Sequence, residues 1–181
     1  MLDPRKSEAA ERADSWLPLK PGTDAAMCFG WLKVIIDEGL YNQQFVSDWC
    51  CGFEALQERV DQFPMERVAA ITGVEPELIA TAARTYATHG PAVIPWTPIT
   101  DQQRNSTSAI RLMCSLRAIC GYLDVPGGEV LHGFHPTIVS ASELELHGES
   151  SEVPRSKPLG ADTHPAFTHR ATGALHEPTT R

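Results

Sequence analysis

Apolar residues recur at spacings of three and four near the start of the chain. Ala25, Cys28, Phe29, Leu32, Ile35 and Ile36 share one stripe, while Lys33, Asp37 and Glu38 lie mainly off it. That period follows the 3.6-residue turn and predicts a helix with one face toward a core. Before it, Pro21-Gly22 reads as a turn, and Thr23 or Asp24 as a cap; after it, Gly39 reads as the stop. A second stripe, Ala109, Leu112, Met113, Leu116, Cys120 and Leu123, predicts a helix over residues 106–123. Residues 76–89 predict another, opened by Pro76 and ended by Gly90, and shorter helices are expected over 42–50, 53–62 and 65–71.

Between the helices lie short segments without that period. Ala92, Val93 and Ile94 form an apolar run compatible with a buried strand. Residues 16–19 are held out of helix by Pro18 and the following Pro21. Residues 1–5 read as the end of a strand whose beginning is missing, because Asp3-Pro4-Arg5 stops a strand and turns the chain. Helices alternating with short strands predict an α/β fold, with a parallel, Rossmann-like sheet flanked by helices. On this reading residues 1–139 form the α/β domain, with a turn at Pro126-Gly127-Gly128. From Ser140 to Arg181, Pro, His, Ser, Thr and Gly accumulate without periodicity, as in an irregular tail.

Composition narrows the function classes. The 181 residues are 42% hydrophobic and 21% charged, enough for one globular unit with a core. Fifteen Lys and Arg against 23 Asp and Glu give a net charge of -8, which argues against a nucleic-acid partner while leaving room for a local basic pocket. The five cysteines, Cys28, Cys50, Cys51, Cys114 and Cys120, include no C-x-x-C pair. They predict buried thiols in a reducing, cytoplasmic setting rather than a disulfide framework or zinc knuckle. No apolar run approaches the roughly 18 residues of a membrane span, and residues 1–5 lack the pattern of a signal peptide. His132, His135, His164, His169 and His176 have no fixed helical spacing and read as surface histidines rather than metal ligands.

Ligands of parallel α/β sheets sit at strand carboxyl ends and helix N-termini, which singles out three loops. In the first, Asp3 offers a carboxylate and Arg5 with Lys6 offer cations, suited to a nucleotide's base or ribose and its phosphate; a structural Asp-Pro turn uses the same residues. In the second, residues 20–24, Gly22 permits close backbone approach, helix N–H groups can meet an anion, and Asp24 can accept from the donor edge of a guanine. A plain helix cap is the alternative. The third, residues 96–105, gathers Asp101, Gln102, Gln103, Arg104 and Asn105 beside Trp96. It can hydrogen-bond a polar heterocycle or simply cap the next helix. Arg104, Arg111 and Arg117 read either as pyrophosphate contacts or as solvated helix charges.

The order of these segments carries a resemblance. "LDPRKSEAAERADSWLPLKPGTDAAMCFGWLKVIIDEGLYNQQFVSDWC", then "ERVAAITGVEPELIATAARTYA" and "RAICGYLDVPGG", resemble the molybdopterin-dependent oxidoreductases of the dimethyl sulfoxide reductase and formate dehydrogenase type. The resemblance implies a molybdopterin guanine dinucleotide, with molybdenum or tungsten carried by the full-length enzyme. It also implies that Asp3, Arg5, Lys20, Gly22, Thr23 and Asp24 line its guanosine end. In the family's Trp-Gly-x-Gly-x-x-Gln loop, Trp96 and Gln102 match while Thr97 and Ile99 replace the glycines, and Asp101 lies in the same loop. "PAVIPWTPITDQQRNSTSAIR" and "PLGADTHPAFTH" are more similar to the acetylene hydratase branch, which adds water to a triple bond without net redox chemistry. The family's iron-sulfur motif and metal ligand have no counterpart here, so the chain is expected to be part of a larger enzyme, with the missing remainder as its partner. A non-catalytic α/β remnant is the alternative.

Overall fold

The computed structural model describes residues 1–95 and 98–131. Helices predicted from periodicity form near their expected bounds: α2 (Asp24–Asp37), α3 (Gln43–Trp49), α4 (Phe53–Asp61), α5 (Met65–Thr72), α6 (Pro76–Thr88) and α8 (Ser106–Cys120). Two short helices, α1 (Glu8–Arg12) and α7 (Pro98–Asp101), complete the order and are too brief to show a stripe. Local chemistry sets several ends. Ser7 caps α1 by accepting from the Ala10 N–H, and Asn42 caps α3 by accepting from the Phe45 N–H at 2.9 Å. Gly121 adopts a left-handed φ of 70° and closes α8 before the expected Leu123.

The centre of the fold is α2. Its predicted stripe is buried, but so are Ala26, Met27, Gly30 and Val34 on its other sides. The helix packs against α4, α5, α6 and α8, which enclose it. Met27 joins Leu17, Leu19, Val68, Val74 and Ile79 in one cluster, while Leu32 and Ile35 join Ala83, Leu112 and Leu116 in another. Leu32, Ile35 and Ile79 are fully buried, so each stabilises the fold by about 1.5–3 kcal/mol relative to an exposed position.

The expectation of an α/β fold with a Rossmann-like parallel sheet is overturned. Among the described residues the β pairings are two isolated parallel bridges, Leu2 with Leu17 and Leu123 with Glu129, and the architecture is helical. The apolar run 92–94 is not a strand: Val93 is 51% exposed, and the backbone groups of Ile94 bond to the side chains of Glu129 and Arg117. A short apolar run reports burial of some residues but not a neighbouring strand, and a sheet needs both. The 139/140 boundary, the tail and its histidines lie outside the described residues, as does Trp96. No helix among the described residues is long and apolar enough to cross a membrane.

Candidate functional site

The corner before α2 is closed by its own backbone. Gly22 holds a φ of 79°, where a side chain would be strained. The Lys20 carbonyl accepts from both the Thr23 N–H at 3.2 Å and the Thr23 hydroxyl at 2.6 Å. That use of the hydroxyl leaves α2 without a side-chain cap. The first intrahelical bond runs from the Met27 N–H to the Thr23 carbonyl at 3.0 Å, so the amides of Asp24, Ala25 and Ala26 stand ahead of it. These amides carry the positive end of the helix dipole. Asp24 is half-exposed, and its carboxylate makes no hydrogen bond among the described residues.

The three candidate loops converge on this corner. Leu2, Leu19, Asp24, Trp31 and Ile94 are among the residues lining one apolar cavity of about 20 Å³ beside α8. Leu2 precedes Asp3, Leu19 precedes Lys20, and Ile94 lies two residues before Trp96. The Asn105 side-chain amide donates to the Gly22 carbonyl at 3.3 Å and ties the third loop to the second. The cavity has room for about one water. A heterocycle cannot enter it and would have to lie on the solvent side of the corner, where Lys20 and Gly22 are exposed and Thr23 and Asp24 partly so.

The other predicted residues divide by occupation. Asp3 holds its own turn: its Oδ1 accepts from the Arg5 N–H at 2.8 Å, and its carbonyl accepts from the Trp16 indole at 2.8 Å. The Arg5 side chain is exposed, and the Lys6 ammonium stands 5.9 Å above the Trp16 ring. Lys20 serves the end of α5, where its N–H donates to the Thr72 carbonyl at 2.8 Å and its ammonium to the Ala70 carbonyl at 3.3 Å. A cation there meets the negative end of the α5 dipole. Asp101 ends α7 and is exposed, as is Gln102, whose N–H donates to the Pro98 carbonyl at 3.1 Å. The Gln103 side-chain oxygen is buried without a hydrogen-bond partner among the described residues.

Arg117 has a setting the sequence reading did not foresee, and Trp31 escaped that reading. Arg117 is buried and pairs with Glu129 at 3.0 Å, so it is not a solvated helix charge. Its position between Met113 and Cys120 on the flank of the α8 stripe was the available signal. Trp31 contributes to the cavity wall a buried indole N–H without a hydrogen-bond partner among the described residues, and no spacing pointed to it.

The described cysteines do not form a metal centre. Burial, and secondarily the charge of Asp24, pushes the Cys28 thiol up to about 12, and burial pushes Cys120 up to about 12. Both therefore remain protonated near neutral pH. The expected burial holds for these two; Cys50 is half-buried, and Cys51 and Cys114 are exposed. No group of three or more His, Cys, Asp and Glu residues among those described is placed to hold a metal ion.

Comparison with known proteins identifies the family of the chain. The family model described as molybdopterin oxidoreductase matches residues 1–166. Acetylene hydratase of Syntrophotalea acetylenica is 47% identical over all 181 residues, which span 25% of that relative. Formate dehydrogenase H of Escherichia coli strain K12 is 37% identical over 126 residues, 70% of this chain and 18% of the relative. The solved structure of acetylene hydratase from Pelobacter acetylenicus superposes with a TM-score of 0.76 at 48% identity, covering 91% of this chain and 22% of that one. The chain thus spans about a quarter of the length of the acetylene hydratase it matches. With the family model matched over most of its length, the chain belongs to the molybdopterin oxidoreductase family.

Proposed function

We propose that residues 20–24 receive the guanine end of a molybdopterin guanine dinucleotide. The supporting observation is Asp24: a carboxylate at the open start of α2, with no hydrogen bond among the described residues. Guanine presents its ring N–H and exocyclic amine side by side, and a carboxylate accepts both. Gly22 leaves the backbone approachable, and the amides heading α2 favour negative charge nearby. Arg5 is available to a phosphate, while Asp3, Lys20 and Thr23 hold the turns around the base. Trp96, Asp101 and Gln102 are assigned to the pterin side by the match to the family's loop. Molybdenum or tungsten bound in the cofactor would supply the reactive centre, with a protein ligand drawn from the rest of the enzyme. The five free thiols support a reducing, cytoplasmic setting.

Calorimetric titration with guanosine diphosphate, beside adenosine diphosphate and an Asp24→Ala variant, tests this reading. Saturable guanosine binding that weakens at least about tenfold in Asp24→Ala is expected, the scale of a lost charge-assisted hydrogen bond. Equal binding of adenosine, or undiminished binding by the variant, would sink it.

A second reading concerns the whole enzyme. Identity of 47% to acetylene hydratase runs over all 181 residues, against 37% over 126 for formate dehydrogenase H. This favours a full-length protein that hydrates an alkyne rather than one that transfers electrons. Formation of acetaldehyde from acetylene and water, without an added electron acceptor, is the expected result in the metal-loaded full-length protein. Turnover of formate instead would favour the oxidoreductase.

A further inference from the structure

Residues 86–95 run beside the 121–129 turn and are held to it at two places. The Tyr122 hydroxyl donates toward the carbonyls of Tyr86 and Ala87, at 2.8 and 3.0 Å. At Ile94, side chains take both backbone groups. Its N–H donates to Glu129 Oε1 at 3.0 Å, its carbonyl accepts from the Arg117 guanidinium, and Arg117 Nε stands 3.0 Å from the same Glu129 oxygen. An ion pair occupies the place a neighbouring strand would otherwise fill.

Glu129 is itself fixed. Its N–H donates to the Tyr122 carbonyl at 2.8 Å, and its carbonyl accepts from the Asp124 N–H at 2.7 Å. Gly128 permits this fold-back, because a methyl group there would overlap the Tyr122 carbonyl. The polar loop is therefore anchored on both sides: at Ile94 by the ion pair, and at Asn105 by its bond to Gly22. Ile94 also shares the cavity wall with Asp24. A buried ion pair is weak as a source of net stability, since desolvation offsets its attraction, but it is strongly directional.

We propose that Arg117 and Glu129 are positioning residues, whose pair grips Ile94 and sets residues 98–105 against the Gly22–Asp24 corner. The consequence for ligand affinity rests on the guanine reading above; the consequence for the loop does not. Amide hydrogen exchange of the full chain, followed residue by residue by NMR, separates the two. In Glu129→Ala, the Ile94 amide and the hydrogen-bonded amides of Gln102 and Gln103 within 98–105 should exchange at least about tenfold faster, with the α2 amides unchanged. Glu129→Gln keeps an acceptor for the Ile94 N–H and should restore most of the protection. Arg117→Lys, which loses the planar fork, should expose 98–105 even if Glu129→Ala fails to fold. Guanosine diphosphate affinity should fall in parallel by about tenfold in Glu129→Ala and recover in Glu129→Gln. Unchanged exchange across 98–105 in Glu129→Ala, or in Arg117→Lys if that variant alone folds, overturns the proposal whether or not nucleotide binds. Faster exchange with undiminished nucleotide affinity overturns the positioning of the ligand site. If the unaltered chain binds no nucleotide, the guanine reading fails and the exchange data alone decide the clamp.

Discussion

Single residues here are constrained mostly by close approach. Tyr122 is buried, and its hydroxyl reaches the end of α6 through the Tyr86 and Ala87 carbonyls. Gly90 passes directly over that hydroxyl, and an added methyl group would overlap it. Gly90→Ala should therefore lower stability by about 1–3 kcal/mol, the usual range for overpacking. Urea unfolding checks this, and an unchanged midpoint would show that the ring moves aside freely. Lys20 was expected at a ligand and is found on the carbonyls ending α5, packed over Gly73. Sequence position predicted its loop but not its direction, because a long flexible side chain chooses among acceptors that only folding brings near.

At the scale of elements, the crossing of α2 over α5 and α6 depends on Gly30. A methyl group there would stand 2.9 Å from Val68 Cγ1 and 3.1 Å from Ile79 Cγ2, both on fully buried side chains. In an exposed helix Gly→Ala gains about 1 kcal/mol from propensity. Here an overpacking cost of about 1–3 kcal/mol should win, because neither neighbour has solvent to move into. Gly30→Ala is thus expected to unfold at lower denaturant, and a stabilised variant would mean that the helices separate at little cost. The salt bridges across this layer, Lys33 with Asp61 and Arg84 with Glu38, are partly or largely solvent-exposed and add little.

For the whole molecule, burial couples stability to alkaline pH. The thiols of Cys28 and Cys120 are pushed from 9.0 up to about 12. Below about pH 9 they are protonated in both folded and unfolded chains and favour neither. Between about 9 and about 12 the unfolded chain releases these protons while the folded chain keeps them, so stability falls as pH rises. Burial also pushes the Tyr86 phenol up, with the same sign. Urea midpoints measured near neutrality and at about pH 10.5 should fall, and the fall should shrink in the Cys28→Ala and Cys120→Ala variants. An unchanged slope in both would show that other groups govern it.

What the sequence determined by itself is local: six helices, the Pro76 start, the stops at Gly39 and Gly90, and the order of motifs that resembles the family later matched. A 3.6-residue period and a glycine stop are properties of neighbours along the chain, so they survive without knowledge of the fold. The tertiary structure alone decided what those elements meet. It packed α2 among four other helices, left 92–94 without a strand partner among the described residues, and brought the Gly22 carbonyl to Asn105. It also turned Arg117 from a helix charge into the partner of Glu129. Each of these is a contact between distant residues, fixed by packing and desolvation rather than by any pattern within a short window.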